Sequence, residues 1–141
     1  MNKTVIPGNF EGIVKIPSSK SDSQRVILAA GLAKGTSLIK NIGICSDEAA
    51  MLEAIRTLGA QIRETEDGTE ITGISKIPSG IEVNISESGL AARLLSGVFA
   101  FSEGQQTVQG QGSVLSRKMY FYFNHTNELQ CQVSGNKDNM L

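Results

Sequence analysis

The sequence PSSKSDSQRVILAAGLA, at residues 17–33, decides how this chain of 141 residues folds. It is polar at its start and apolar afterwards, and it predicts a helix that begins where Pro17 closes an extended segment. Ser19 is placed to cap the helix, and Asp22 stands three residues later, as in a capping box. Because the body of the helix is apolar on nearly every side, we expect it to be buried all round.

Two cations in the first turns of this helix are not explained by helix stability. Lys20 and Arg25 lie near the positive end of the helix macrodipole, where cations destabilise a helix. The same end offers unpaired N–H groups to an anion, and the four-residue spacing places Ser21 and Arg25 on one face. The pattern indicates either an anion site or a solvated helix start whose cations pair with distant carboxylates.

Composition and charge narrow the classes of partner. The chain is 40% apolar and has a net charge of −1, which is typical of one compact soluble domain. Since no basic stripe is present, nucleic acid is not expected as the main partner. No apolar run approaches the roughly 20 residues that cross a bilayer, and no signal peptide opens the chain. The sequence therefore predicts a cytoplasmic protein without a membrane partner.

The cysteines and the histidine do not suggest a metal centre. Cys45 and Cys131 lie far apart, without a CxxC pattern, and are predicted to be free, buried thiols of a cytosolic protein. His125 has no partner at metal-ligand spacing. No metal and no cofactor is expected.

Two halves of the chain show the same order of elements. The first half begins with extended pieces at 4–6 and 12–16, and its first helix is ended by Lys34-Gly35. A strand at 36–41 and a helix capped by Ser46 and ended by Gly59 are predicted next. Strands at 61–64 and 70–72, joined by a turn at 66–68, complete this half. The second half predicts a strand at 81–85, a helix capped by Ser86 and ended by Glu103-Gly104, a strand at 105–109, a helix at 113–123, a strand at 128–133 and a turn at 135–139. The repeat is about 70 residues long. Residues 119–123 have strand propensity, so only the repeat indicates a helix there.

The repeat suggests a second anion site. Arg93 follows Gly89 by four residues, as Arg25 follows Ser21. An Arg that leans back over a glycine leaves room for its guanidinium beside the helix N-terminus. The alternative is a surface Arg93 paired with Glu87. The chain also stops where the second unit needs its last strand, and this predicts a fragment with an unpaired edge that would self-associate.

Three segments resemble the motifs of one enzyme family. Residues 17–25, PSSKSDSQR, closely resemble the Pro-Gly-Ser-Lys-Ser-x-Ser-Asn-Arg signature of the 5-enolpyruvylshikimate-3-phosphate synthases. Residues 88–97, SGLAARLLSG, resemble their Asn-Ser-Gly-Thr-x-x-Arg segment, and residues 110–119, GQGSVLSRKM, resemble their Gly-Asp-x-Ser-Leu-x-x-Arg-Pro-Met segment. The order and spacing are those of the family, and the similarity covers roughly residues 7–135.

The resemblance implies a fold and a division into domains. The fold class would be α/β (α+β), with repeated βαβαββ units of the enolpyruvyl transferase fold, an inside-out α/β barrel with buried helices and sheets outside. Residues 1–16 would be an extended segment that joins the other domain, 17–80 the first unit, and 81–141 a second, truncated unit. The third unit and the second domain would be absent.

The resemblance also implies an activity and binding residues. The family transfers the enolpyruvyl group of phosphoenolpyruvate to the 5-hydroxyl of shikimate 3-phosphate and releases phosphate, a step of the shikimate pathway to chorismate and the aromatic amino acids. Lys20, Ser21 and Arg25 would hold shikimate 3-phosphate, and the residues for phosphoenolpyruvate would be Lys20, Gly89, Arg93 and Arg117. No residue of this chain matches the family's acid and base groups, which lie in the missing C-terminal domain, its expected partner. The isolated chain is therefore expected to be inactive.

Several positions depart from the family's motifs. Glu87 replaces an Asn and places a carboxylate where it would repel phosphate, and Leu90 replaces a Thr. Ser18 replaces a Gly, and Gln111 and Lys118 replace an Asp and a Pro. The alternative to an enzyme half is a non-catalytic anion-binding or interaction module with the same fold.

Overall fold

Three helices and five strands form the regular structure of residues 3–9, 11–117 and 131–134, the part of the chain that the computed structural model describes. In chain order they are α1 (Lys20–Leu32), β1 (Thr36–Ile39), α2 (Ser46–Thr57), β2 (Gln61–Thr65), β3 (Gly68–Thr72), β4 (Glu82–Asn84), α3 (Gly89–Phe99) and β5 (Thr107–Gln109), followed by a 3-10 turn at Gly112–Ser116. The mixed α/β class agrees with the prediction. Among these described helices, none has the length and apolar character needed to span a membrane.

The strands form two sheets of different kinds. In the first sheet β3 lies between β1 and β2 and is antiparallel to both. Thr65 pairs with Gly68, so a two-residue turn joins β2 and β3, as the turn sequence predicts. In the second sheet β4 and β5 are parallel, and α3 is the crossover between them.

The core lies between the helices and the inner faces of the sheets. Its fully buried side chains include Ile27 of α1, Ile55 of α2, Ile71 of β3 and Leu95 of α3. Helices α1 and α2 cross closely at Gly31, where an added Cβ would lie 2.9 Å from the Cγ2 atom of Ile55. This close contact lies near the C-terminal ends of both helices and holds them together there.

Helix α1 begins as predicted but is not buried on all sides. The Ser19 hydroxyl accepts a hydrogen bond from the Asp22 N–H at 3.4 Å and caps the helix. The side chain of Val26 is 45% exposed and Ala29 is also exposed, so the prediction of burial all round is wrong for this chain. The reason is that α2, α3 and β3 all cover the opposite face of the helix.

Two predicted helix caps are wrong by one or two residues. Helix α2 is capped at Cys45 rather than Ser46, because the Glu48 carboxylate accepts the Cys45 N–H at 2.9 Å. Helix α3 is capped at Ser88, whose hydroxyl accepts the Ala91 N–H at 3.2 Å. Ser86, the predicted cap, instead adopts a left-handed backbone with φ of 53°.

The two repeated units share the cap that begins their first helix and the glycine that follows it, but they differ after the second strand. The capping residues Ser19 and Ser88 start corresponding helices, and Gly35 and Gly104, both with positive φ, follow them. In place of the helix predicted at 113–123, Gly112–Ser116 form the short 3-10 turn and Arg117 follows with extended backbone, while 118–123 lie outside the described residues.

Other predictions near the chain ends have mixed outcomes. Residues 131–133 are not a strand, although 128–133 was predicted as one, and 128–130, the turn at 135–139 and His125 lie outside the described residues. The extended pieces at 4–6 and 12–16 are exposed and form neither helix nor strand. Cys45 is a free, exposed thiol and the side chain of Cys131 is half-buried, so the prediction that both thiols are buried is wrong.

Candidate functional site

The N-termini of α1, α2 and α3 meet at one cleft of about 550 Å³. Lys20, Ser46 and Gly89, the first residues of the three helices, all line it. The remaining lining residues are Ser21, Gln24, Asp47, Ser86, Glu87, Leu90, Arg93, Ser113 and Arg117. Each helix start carries unpaired N–H groups and the positive end of a macrodipole. The backbone alone therefore makes this cleft attractive to an anion.

Lys20 bridges two of these helix starts. Its Nζ atom lies 2.8 Å from the Oδ2 atom of Asp47, in the first turn of α2. The hydrogen bond to Asp47, together with the attraction of that carboxylate, raises the pKa of Lys20. The ion pair with Asp47 thus directs the exposed ammonium group of Lys20 toward the start of α2.

Arg25 lies outside the lining of the cleft. Its Nη1 atom donates to the Oδ1 atom of Asp22 at 3.1 Å, and both side chains are largely exposed. Counted from the capping residues Ser19 and Ser88, the counterpart of Arg93 is Gln24, and Arg25 comes one residue later. One residue turns a helix by about 100°, so Arg25 and Arg93 face different directions.

Arg93 and Arg117 are the cations of the α3 side of the cleft. Both are exposed, and neither forms an ion pair within the part of the chain that the structure describes. Arg117 Nη2 donates to the Ser113 hydroxyl at 3.3 Å, and its Nη1 atom lies 2.5 Å from the place where a Cβ on Gly89 would be. The absence of a side chain at Gly89 therefore lets the guanidinium lie against the first turn of α3.

A buried hydrogen bond joins the starts of α1 and α3. The hydroxyl of Ser88 donates to the Oε1 atom of Gln24 at 2.7 Å, and both side chains are fully buried. The same hydroxyl accepts the Ala91 N–H, while Gln24 Nε2 donates to the Lys20 carbonyl at 3.5 Å. Buried polar groups linked in this way are costly to separate, so this pair fixes the spacing between the two helix starts.

Glu87 is a carboxylate beside the cations, but it is already hydrogen-bonded. Its Oε2 atom accepts the Ser113 N–H at 2.9 Å. That hydrogen bond from the Ser113 backbone is the main cause that lowers the pKa of Glu87, and the charge of Arg117 adds to it. The alternative pairing of Glu87 with Arg93 is not formed among the described residues.

The cleft brings together Lys20, Ser21, Gly89, Arg93 and Arg117, while Arg25 stands apart. Sequence reasoning did not place five of the lining residues in the site: Gln24, Ser46, Asp47, Ser86 and Ser113. Asp47 had one local signal, its favourable place in the first turn of α2, but no pattern showed that it meets Lys20.

The arrangement is suited to bind a small molecule with more than one negative charge. Three cationic side chains, Lys20, Arg93 and Arg117, share the cleft with the helix starts, against two carboxylates that each have a hydrogen-bond partner. Arg guanidinium groups bind phosphate and carboxylate through paired hydrogen bonds. In the described residues, no group of three His, Cys, Asp or Glu side chains is placed to hold a metal ion.

Known proteins resemble this chain in sequence and in structure. The 3-phosphoshikimate 1-carboxyvinyltransferase of Clostridium beijerinckii is 34% identical over 149 aligned positions, covering 99% of this chain and 34% of that protein. The protein of that name from Methanocorpusculum labreanum is 32% identical, and the match covers 96% of this chain and 33% of that protein. The chain thus spans about a third of the curated relatives it matches.

The fold agrees with this similarity. The solved structure of the EPSP synthase from Acinetobacter baumannii matches with a TM-score of 0.79 at 26% identity, covering 96% of this chain and 32% of that one. The family model of EPSP synthase (3-phosphoshikimate 1-carboxyvinyltransferase) matches residues 5–140. This chain belongs to the EPSP synthase family.

Proposed function

We propose that this chain forms part of the substrate-binding half of an enzyme that transfers the enolpyruvyl group from phosphoenolpyruvate to the 5-hydroxyl of shikimate 3-phosphate and releases phosphate. The observation that supports this most directly is the meeting of three helix N-termini with Lys20, Arg93 and Arg117 in one cleft. Both substrates are multiply charged anions, and preorganised donors of this kind stabilise negative charge without reorganisation.

Shikimate 3-phosphate is assigned to the α1 side of the cleft. Lys20 and Ser21 line the cleft there, and Arg25 lies one helical position beyond it. For Arg25 to reach the phosphate it must leave Asp22, and an exposed ion pair of this kind contributes little to stability. The proposal therefore includes exchange of Asp22 for the ligand phosphate.

Phosphoenolpyruvate is assigned to the α3 side. Gly89, Arg93 and Arg117 line the cleft there and Lys20 lines it from the α1 side, which supports this assignment. Its phosphate and carboxylate match the two guanidinium groups, neither of which is neutralised by an ion pair in the described part of the chain.

The chain supplies binding groups, and the proton transfers belong to the remaining domain of the same enzyme. We assign residues 1–16 to a segment that joins that domain, 17–80 to a first βαβαββ unit and 81–141 to a second unit. On this proposal the chain is inactive alone, acts in the cytoplasm and needs no cofactor.

The binding proposal is tested by titrating shikimate 3-phosphate into the chain and following the amide signals of α1 by NMR. We expect saturable shifts at Lys20 and Ser21. Because a hydrogen bond to a charged group is worth about 1.5–3 kcal/mol, Lys20→Met and Arg25→Ala should each weaken binding by about tenfold or more.

The matched control is Lys76→Met, which also removes one Lys charge. Lys76 pairs with Glu103 and does not line the cleft, so its loss should leave the affinity unchanged. Equal weakening by Lys76→Met would mean that only net charge matters, and no shifts in the wild type would overturn the proposal. Urea melts show whether Arg25→Ala instead acts on stability, which would make Arg25 part of the scaffold.

A further inference from the structure

The side chain of Glu87 connects the start of α3 to the segment that carries Arg117. Glu87 directly precedes Ser88, the cap of α3, and its carboxylate accepts the Ser113 N–H at 2.9 Å from across the cleft rim. Ser113 belongs to the 3-10 turn at Gly112–Ser116. The carboxylate thus lies at the amino end of that turn, where a negative charge is favourable.

The same turn directs Arg117 toward the cleft. The Arg117 guanidinium donates to the Ser113 hydroxyl at 3.3 Å, and the Arg117 N–H donates to the Val114 carbonyl at 3.2 Å. Val114 is fully buried and anchors the turn in the core. The contacts therefore run from Glu87 through Ser113 to Arg117.

The backbone around this contact leaves the carboxylate little freedom. Gly112 has φ of 57°, and a Cβ at that position would overlap the carboxylate of Glu87. On the other side, the Gln111 N–H donates to the Ser86 carbonyl at 2.8 Å. Because both segments are held on either side of it, Glu87 reaches the Ser113 N–H in a defined position.

We propose that Glu87 is a positioning residue that holds the Ser113 turn so that the Arg117 guanidinium lies against Gly89 and faces the anion. This inference rests on the proposed function of the cleft. The opposing view is that the carboxylate repels a bound phosphate. The two views differ in sign, because loss of a positioning residue weakens anion binding, whereas loss of a repelling charge strengthens it.

The variants Glu87→Ala and Glu87→Gln separate these views. Alanine removes both the charge and the acceptor, whereas the glutamine amide oxygen keeps an acceptor for the Ser113 N–H and removes only the charge. Glu103→Ala is the matched control, since Glu103 is exposed, pairs with Lys76 and does not line the cleft.

The first measurement is independent of any ligand. In the wild type, side-chain protons of Arg117 should show nuclear Overhauser contacts to the α protons of Gly89. These contacts should disappear in Glu87→Ala and remain in Glu87→Gln and Glu103→Ala. If they persist in Glu87→Ala, Glu87 does not position Arg117, whatever the cleft binds.

The second measurement titrates inorganic phosphate and phosphoenolpyruvate into the same variants. We expect Glu87→Ala to bind about tenfold more weakly, and Glu87→Gln and Glu103→Ala to remain within about twofold of the wild type. Unchanged or tighter binding by Glu87→Ala would overturn the positioning role in favour of repulsion or no role. If the wild type binds neither anion, but Glu87→Ala still loses the Arg117 contacts, the proposed function is wrong. Glu87 then positions Arg117, but not for binding an anion.

Discussion

At the scale of single residues, the position of Arg117 in the cleft depends on the absence of a side chain at Gly89. Gly89 has no Cβ, and the Nη1 atom of Arg117 occupies the space that a Cβ would crowd. The nearest atom is the end of a flexible Arg side chain, which can move away without disturbing the fold. The requirement for glycine here therefore concerns the position of a charge.

The variant Gly89→Ala should separate binding from stability. In a helix interior alanine is favoured over glycine by about 0.5–1 kcal/mol. Gly89 is the first residue of α3, where this preference is weaker, so the free energy of unfolding in urea should stay the same or rise slightly. Arg117 should be displaced, and the affinity for phosphoenolpyruvate should fall. Gly97→Ala, on the same helix and with open space around it, is the control that should leave the affinity unchanged. A destabilised Gly89→Ala with normal affinity would contradict this prediction.

The sequence predicts much of the cleft at this scale because a cation at a helix start has a local signature. Lys20 could be identified as unusual from its position alone. Its contact with Asp47 and the contact of Glu87 with Ser113 join residues that are distant along the chain, and no local pattern reports such contacts. For Glu87 the sequence indicated only a charge, whereas the structure shows that its carboxylate accepts a hydrogen bond from the Ser113 N–H.

At the scale of elements, helix starts decide where the functional groups lie. The start of α1 was predicted correctly because Asp22 stands three residues after Ser19, as in a capping box, whereas the neighbouring Ser18 has no such partner. At α2 the Glu48 carboxylate binds the N–H of Cys45, so a side chain within the helix sets the start one residue before Ser46. At α3 two serines compete, and the left-handed backbone of Ser86 leaves the cap to Ser88.

The start of α2 should make stability depend on pH. Burial of Glu48 by itself raises its pKa, but the hydrogen bonds from Cys45, Ser23 and Gly43 outweigh burial and lower it below its ordinary value of 4.5. The folded state therefore binds this proton less readily than the unfolded state. The stabilisation is complete above about pH 4.5 and is lost as the pH falls through the lowered pKa of the folded protein.

Urea melts of the wild type and Glu48→Gln between pH 3 and pH 7 check this prediction (about the range in which carboxylates titrate). The wild type should be more stable near neutral pH, and the difference should shrink as the pH falls. Glu53→Gln, which removes an exposed carboxylate of the same helix, should follow the wild type. Parallel curves for wild type and Glu48→Gln would show that the carboxylate of Glu48 does not carry this stability.

At the scale of the whole molecule, the repeat was visible in the sequence but the packing of the helices was not. Capping residues and glycines recur at matched positions because each unit needs the same helix start and the same turn. Which face of α1 is covered depends on α2, α3 and β3 together, and an apolar helix does not reveal which of its faces lacks a neighbour. The exposed Val26 is the result.

Exposed apolar side chains should make this chain associate with itself. Val14 is 82% exposed and Phe101 is 80% exposed, and Ile13 and Ile44 are fully exposed. Apolar surface of this kind favours contact with other apolar surface. Sedimentation velocity over a range of concentrations should show mass above 15.0 kDa, and the variant Ile13→Ser/Val14→Ser should reduce it. A single species of monomer mass at every concentration would contradict this prediction.

The meeting of three helix starts also governs how a ligand approaches. The chain as a whole has a net charge of −1, so from a distance it offers a dianion no attraction. At physiological ionic strength the Debye length is about 8 Å, and fields from the cleft fade over that distance. Capture should therefore be a short-range event, in which a diffusing anion is drawn in only after it reaches the rim. Added salt should slow the entry of ligand far less than it does for proteins whose overall charge steers their partners.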